Sequence, residues 1–371
     1  MLLYKDDNMA TRILSDIPLN EIAVRKLEAL PGVTVGQVLP HDSAWDLPDD
    51  LLPGPEILLC KLPPRNIDAL SRLKMIQLSS VGYEHLRHLG FADRPVRVCN
   101  ARGVFDTAIA EWNLAMMVNL IRDLPGMIRN QTQGQWDRAD RFQQELRGRI
   151  LGLWGYGGLG RETARLAKAF GMTVHVLCRS GVKPRQNTFA QPGTGDQEGI
   201  LPDRVFIAGH PAHPLPLSPL AAGGSAPGHR QGEGGQAKEF LSGLDFLVLA
   251  LPHTRESEGM IGEAELKMLP RSAFLLNPAR GPIIQEQALI QALREGWIAG
   301  AALDTHFAYP LPADHPLWRF PNAILTPHIS GADKSPNFPD RIADLFIQNV
   351  NRYLERRPLL NEITATEWEE A

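Results

Sequence analysis

The chain has 371 residues, 43% of them hydrophobic, and a formal net charge of −4, which suits about two globular domains and argues against nucleic acid as the main partner. Its three cysteines, Cys60, Cys99 and Cys178, have no C-x-x-C or metal-ligand spacing, which fits a reduced cytoplasmic setting without a metal site. No apolar run reaches membrane-spanning length, and Met1 to Asp7 lacks the basic-then-apolar order of a signal peptide, so no membrane association is expected.

Taken in order, Thr11 to Ile17 reads as a strand, Leu19 to Leu30 as an amphipathic helix and Val33 to Val38 as a second strand. Glu56 to Leu62 and Leu73 to Ser79 are further strands with a helix expected between them, and Val96 to Asn100 is another. The turn after Ser79 places the N–H groups of Val81 and Gly82 where an anion, or simply a strand-to-helix turn, is expected. Asn100 to Thr107 leads into a long helical pattern through Ala108, Glu111, Ala115 and Leu120, read as the crossing between domains, with Asp106 or Thr107 as its N-cap. Glu111 is expected at the surface or hydrogen-bonded.

Residues 150–180 are the strongest stretch. Ile150 to Trp154 is an apolar strand, and Gly155, Gly157 and Gly160 spell G-x-G-x-x-G. Leu159, Thr163, Leu166 and Phe170 recur at helical spacing, Gly171 stops the helix, and a second strand runs to Cys178. A glycine motif between two apolar strands and opening a helix is a dinucleotide site. The first glycine permits the tight turn, the second lets the backbone approach a pyrophosphate, and the third lets the helix pack close. The acidic residue expected at the end of the second strand is absent. Cys178, Arg179 and Ser180 stand there, with Lys183 and Arg185 near, a pattern that favours a 2′-phosphate and hence NADP(H), with NAD(H) as the alternative. Arg179 stacked on adenine, or simply in solvent, is the other possibility.

Phe189 to Lys238 is rich in Pro, Gly, His and Ser and reads as a flexible insertion, in which His210 and His213 are expected in an exposed loop, with metal binding by the pair as the alternative. Alternation then resumes. Leu244 to Leu251 ends at Pro252, Ala273 to Asn277 ends at Pro278-Ala279-Arg280, Ile298 to Leu303 ends at Asp304, and Ala323 to Leu325 ends at Thr326-Pro-His328. Near-continuous apolar strands alternating with helices such as Gln285 to Glu295 mean an α/β, doubly wound parallel sheet, with function at the carboxyl ends of the strands. Arg280, Asp304 and His328 sit at three such ends.

With these motifs in place, the sequence resembles the D-isomer-specific 2-hydroxyacid dehydrogenase family, of glyoxylate/hydroxypyruvate reductase type. The resemblance rests on Gly152 to Gly160, Leu275 to Gly281, Gly300 to Asp304, Pro310 to Trp318 and Leu325 to Ile329. It implies two Rossmann-like domains with a cleft between them. Residues 1–117 and 330–371 would form the substrate domain, and residues 118–329 the dinucleotide domain, which carries the 189–238 insertion. It implies Arg280 as the substrate-binding and catalytic arginine, His328 as acid/base, and Val81 and Gly82 as the backbone site for the substrate carboxylate. Cofactor contacts are implied for Gly155, Tyr156, Gly157, Gly158, Leu159, Gly160, Arg179, Ser180, Pro252, Asn277 and Ala279, and for Asp304 at the nicotinamide carboxamide. A small 2-keto or 2-hydroxy acid is the implied substrate, and a homodimer the usual state. Phe105 and Trp136 are candidates to line the pocket or to be core.

Two departures from the family are visible, and Cys178 in the acidic position at the end of the second strand is one of them. A glutamate usually precedes the Pro-Leu of the Pro310 stretch, and here Tyr309 stands in its place. A carboxylate would raise the pKa of His328 and orient its ring; a phenol only orients it. The same departure keeps open a dehydrogenase of formate- or phosphite-like anions. A non-enzymatic, NAD(P)-sensing corepressor-like protein is the alternative outside enzymes.

Overall fold

The computed structural model describes residues 10–41, 43–91, 94–208 and 233–370. The first elements are β1 (Thr11–Ser15), α1 (Glu21–Glu28), β2 (Val33–Gln37), β3 (Ile57–Cys60), β4 (Met75–Leu78) and β5 (Arg97–Cys99). There follow α2 (Asp106–Ile121), α3 (Leu124–Thr132), β6 (Ile150–Trp154), α4 (Gly158–Ala169), β7 (Thr173–Cys178), β8 (Arg204–Ile207), α5 (Glu233–Ser242), β9 (Phe246–Leu249) and α6 (Glu263–Met268). The chain closes with β10 (Phe274–Asn277), α7 (Glu286–Glu295), β11 (Gly300–Leu303), β12 (Ala323–Leu325), α8 (Phe338–Leu354) and α9 (Ala365–Glu370).

These elements form two compact units. One comprises Met1–Phe105, Gln186–Gln191 and Asp333–Ala371; the other comprises Asp106–Arg185 and Pro192–Ala332. Each holds one wholly parallel sheet, ordered β2-β1-β3-β4-β5 in the first and β12-β11-β10-β9-β6-β7-β8 in the second. The architecture is therefore the expected α/β pair of Rossmann-like sheets. In the larger sheet the strand order reverses at β6, so the turn after β6 lies at the topological switch point where doubly wound sheets bind ligands. Successive residues of β9 alternate between two cores: Phe246 and Val248 face one, Leu247 and Leu249 the other. That is why the strand reads as one unbroken apolar run.

The first unit is closed by the end of the chain. Asn349 on α8 is fully buried; it donates to Gln77 Oε1 (2.8 Å) and the Leu360 carbonyl (3.0 Å) and accepts from the Leu360 N–H (2.7 Å).

Three expectations change. First, no α-helix joins β3 to β4: only one 3₁₀ turn, Ile67–Ala69, forms there. Pro63 and Pro64 hold the approach extended, and the Asn66 side chain ties to the Leu47 backbone in both directions (2.8 and 2.9 Å), so side-chain bonds replace a helix. Second, α2 belongs wholly to the second unit, which begins at Asp106 and not after residue 117. Its Leu114, Met117, Leu120 and Ile121 share a core with Leu151 and Leu153 of β6. Third, the segment expected as a flexible insertion is partly built in. Phe189 is 2% exposed in the core of the first unit, its N–H donates to Asn361 Oδ1 (3.1 Å), and the Asn187 carbonyl accepts from the Asn361 N–H (3.0 Å). Residues 204–207 add the edge strand β8. His210 and His213 lie outside the described residues.

A buried phenylalanine in a segment of low apparent order gives a direct check. Phe189→Ala is expected to destabilise the first unit by about 3 kcal/mol, the usual cost of emptying a phenylalanine site. Urea unfolding measures it, and a loss below about 1 kcal/mol would mean that the site is not a packed core position.

Candidate active site

The glycine-rich turn is built by close approach. Gly155 has φ +99, and a Cβ there would collide with the Ala250 carbonyl; a Cβ at Gly160 would stand 2.6 Å from the Gly155 carbonyl oxygen. Gly157, the N-cap of α4, differs: a Cβ there would meet nothing within 4 Å. The open side of Gly157, at a helix start with unpaired N–H donors, is the cradle that a pyrophosphate needs, so the residues present fit a dinucleotide. Gly158 follows against the Asp106 carboxylate, which pairs with Arg185 at 3.8 Å; both side chains are largely buried, at 16% and 10% exposure. Leu159 continues the first turn, and Tyr156 is buried beneath it.

Beyond β7, the Cys178 thiol is pushed up by burial, against the N–H groups of Gly181 and Ser180 and the charge of Arg161, all of which lower it. Arg179 is exposed and lies 4.0 Å from Glu256, on the loop after β9. The strand thus lacks an acid of its own, yet one approaches its cation from a neighbouring loop. The sequence reading missed Glu256 because it stands outside the strand that carries the motif. Pro252 opens the same loop, its carbonyl accepting from the buried Ser257 hydroxyl (2.8 Å).

The chemistry-bearing residues gather at the ends of β10, β11 and β12. Asn277 is fully buried; its side chain donates to the Arg280 carbonyl (2.8 Å) and accepts from the Ala279 N–H (3.1 Å), shaping the turn that presents Arg280. Arg280 Nη1 donates to the Ala279 carbonyl (2.8 Å). Asp304 is also fully buried. Oδ1 accepts from the Thr326 hydroxyl (2.6 Å) and the Ile329 N–H (2.9 Å), and Oδ2 from the Ser330 N–H (3.0 Å) and hydroxyl. These four bonds fold residues 326–330 around one carboxylate and hold His328 at φ +56, a left-handed conformation unusual for a non-glycine residue. Asp304 therefore fixes the turn that carries His328, beyond any contact with a nicotinamide.

Tyr309 joins the group. Its ring centroid is 5.5 Å from that of His328, tilted by 51°. Its hydroxyl accepts from the His306 N–H (3.2 Å). Burial pushes the phenol up from its ordinary value, against the His306 N–H and the Arg280 charge, which both pull it down; at neutral pH it is a proton donor. His306, unremarked in the sequence, is 4% exposed and bonds the Thr326 carbonyl through Nε2 (2.8 Å), while Nδ1 has no partner among the described residues.

Arg280, Tyr309, His328 and Asp304 thus lie together in the second unit, with the glycine turn. Val81 and Gly82 lie in the first, on the turn after β4, where the Ser80 hydroxyl donates to the Gly82 carbonyl (2.8 Å) and Asn100 to the Val81 carbonyl (3.1 Å). Phe105 stacks on Phe338 within the first unit (5.5 Å). Trp136 is 92% exposed and Glu111 is at the surface.

Among the described residues, no helix is long and apolar enough to cross a membrane. The model of the D-isomer-specific 2-hydroxyacid dehydrogenase NAD-binding domain matches residues 114–204 and 227–330. The glyoxylate reductase of Thermofilum pendens is 29% identical over 303 residues, 80% of this chain and 77% of that protein. Among solved structures, a D-isomer-specific 2-hydroxyacid dehydrogenase family protein of Aeromonas salmonicida is 28% identical with a TM-score of 0.71, covering 96% of this chain and all of that one. The NADPH-dependent glyoxylate/hydroxypyruvate reductase of Sinorhizobium meliloti, solved with citrate, is 25% identical with a TM-score of 0.66, covering 96% and 98%. With its NAD-binding model matched over half its length and the switch-point glycine turn in place, this chain belongs to the D-isomer-specific 2-hydroxyacid dehydrogenase family, oxidoreductases that act on CH–OH donors with a nicotinamide cofactor.

Proposed function

We propose that the protein reduces a small 2-keto acid to the D-2-hydroxy acid, with Arg280 and His328 as its catalytic residues and NADPH as its preferred cofactor. The observation that carries this is the grouping of Arg280, Tyr309 and His328 at the carboxyl ends of three neighbouring strands, in the unit that bears the dinucleotide turn. When bound, the nicotinamide supplies the hydride. Arg280 offers a planar fork of donors to the keto acid and stabilises the negative charge that grows on the C2 oxygen. His328 donates the proton to that oxygen in reduction and takes it back in oxidation. Val81 and Gly82 receive the substrate carboxylate through backbone N–H groups. The unit holding both chain ends is the substrate domain in this reading, and the functional chain is a homodimer.

Glyoxylate and hydroxypyruvate are the substrates favoured by the names of the relatives. NADPH is favoured by Arg179 following a strand without an acidic residue, with Lys183 near; Glu256 offsets part of that charge, and Arg185 is paired with Asp106. The NADPH dependence of the Sinorhizobium meliloti reductase points the same way.

NADPH and NADH oxidation against 2-keto acids from glyoxylate to phenylpyruvate tests this. Turnover is expected with the small acids, with kcat/KM for NADPH at least about tenfold above NADH, and a loss of roughly 10²- to 10³-fold in Arg280→Ala, the cost of removing a charge-stabilising donor. Turnover that survives in Arg280→Ala removes the assignment, and equal kcat/KM for the two cofactors removes the NADPH preference. Tyr309→Glu places a carboxylate beside His328 and is expected to move the pKa of the acid in the reduction profile upward, by about one unit for a partly exposed pair; a superimposable profile contradicts the role given to Tyr309. Gly157→Ala is expected to leave the apo protein's melting point unchanged, since the added methyl meets open space, while weakening NADPH binding about tenfold or more by blocking the approach of a phosphate. Unchanged affinity in Gly157→Ala would mean that the cradle is not used.

A further inference from the structure

The loop after β7, where the adenosine end of a dinucleotide is read, is held by a buried network absent from the sequence reading. Arg161, one residue past the last glycine of the motif, is 5% exposed. Its Nε donates to the Tyr156 carbonyl (3.2 Å), and its other nitrogens donate to the carbonyls of Asp196 and Lys183. Asp196 is 5% exposed and is the hub of its own segment. Oδ1 accepts from the N–H groups of Gly199 and Ile200 (both 3.0 Å), and Oδ2 from the Leu201 N–H (2.9 Å) and the Tyr156 hydroxyl (2.7 Å). Tyr156 is the residue between the first two glycines of the motif. Next to Arg161, Glu162 accepts from the Gly195 N–H (2.6 Å) while holding Arg165 (2.6 and 2.8 Å). The Gln197 carbonyl then accepts from the Arg185 N–H (2.9 Å). Residues 194–201 are thus bonded on one side to the glycine turn and first turn of α4, and on the other to Arg185 of the loop after β7, while Arg161 ties the Lys183 carbonyl of that loop to the same network.

We propose that Asp196, acting through Tyr156 and Arg161, is a positioning residue for cofactor binding: it sets the conformation of residues 179–185, and with it the affinity for the adenosine half of the dinucleotide. None of the three need touch the cofactor for this. The carboxylate collects four donors and leaves the carbonyls of Tyr156, Lys183 and Asp196 to one buried guanidinium. Removing the carboxylate strands the buried Tyr156 phenol and takes the shared acceptor from three part-buried N–H groups, which frees the loop to rearrange. A loop that is already ordered spends less of its binding energy on ordering when ligand arrives. The proposal rests on the dinucleotide reading of the glycine turn, but not on the choice between NADPH and NADH.

Calorimetry with ADP-ribose and with 2′-phospho-ADP-ribose reads the adenosine half without turnover. Asp196→Ala, which removes all four bonds to the carboxylate, is expected to weaken both fragments roughly tenfold, and Tyr156→Phe, which removes one of them, roughly threefold. Asp196→Asn, which keeps an acceptor for Gly199 and Ile200, is expected to recover a large part of the loss. In turnover, KM for the cofactor rises and kcat at saturating cofactor holds. Fragment affinities that stay at the wild-type value in Asp196→Ala and Tyr156→Phe overturn the proposal, as does a fall in kcat that matches the fall in kcat/KM. Should Asp196→Ala not fold, Tyr156→Phe, which removes one hydroxyl, decides by the same two readouts. Wild-type protein that binds both fragments equally contradicts the NADPH preference and leaves this proposal standing.

Discussion

The close seating of α4 on the end of β6 is the constraint from which the second unit follows. Gly155 turns the chain under the Ala250 carbonyl, Gly160 seats the helix so close that an added Cβ would stand 2.6 Å from the Gly155 oxygen, and the strand order of the sheet reverses at β6. A helix start aimed at a switch point has donors with no intrahelical partner, and the open side of Gly157 leaves room for an anion to take them. The same approach brings Tyr156 and Arg161 down onto residues 194–201. One packing decision therefore shapes both the phosphate cradle and the loop beyond β7.

At the far strands the organising group is a carboxylate. Asp304 accepts four hydrogen bonds from Thr326, Ile329 and Ser330, and the turn so formed holds His328 in a left-handed conformation uncommon for a residue with a side chain. Asn277 does the same for the turn before Arg280. Two buried polar residues thus present two exposed or half-buried ones, the kind of rigid support that the proposed contacts with substrate need.

Much of this was legible in the sequence, for physical reasons. Parallel strands buried on both faces read as apolar runs, so β6, β7, β9, β10 and β11 stood out. The spacing of Gly155, Gly157 and Gly160 encodes close approach directly. Arg280, Asp304 and His328 stood out because strand ends in such sheets carry function, and they follow three neighbouring strands. What was missed depends on contacts distant in sequence. Nothing local distinguishes Asp196 from a loop aspartate until Tyr156, 40 residues earlier, is seen to donate to it. Phe189 looked like part of a Pro- and Gly-rich insertion, because its burial comes from a core formed by the two ends of the chain. Glu256 reaches Arg179 from another loop. The helix expected between β3 and β4 failed because side-chain ties from Asn66 outcompete helical hydrogen bonds in a stretch that begins Pro63-Pro64.

The central claim is hydride transfer to C2 of a keto acid with D-stereochemistry, and the product itself tests it most directly. Hydroxypyruvate reduced with NADPH deuterated at C4 of the nicotinamide should yield D-glycerate carrying the deuterium at C2, as chiral chromatography and mass spectrometry would read. L-glycerate, or D-glycerate without deuterium at C2 whichever C4 face carried the label, would contradict it.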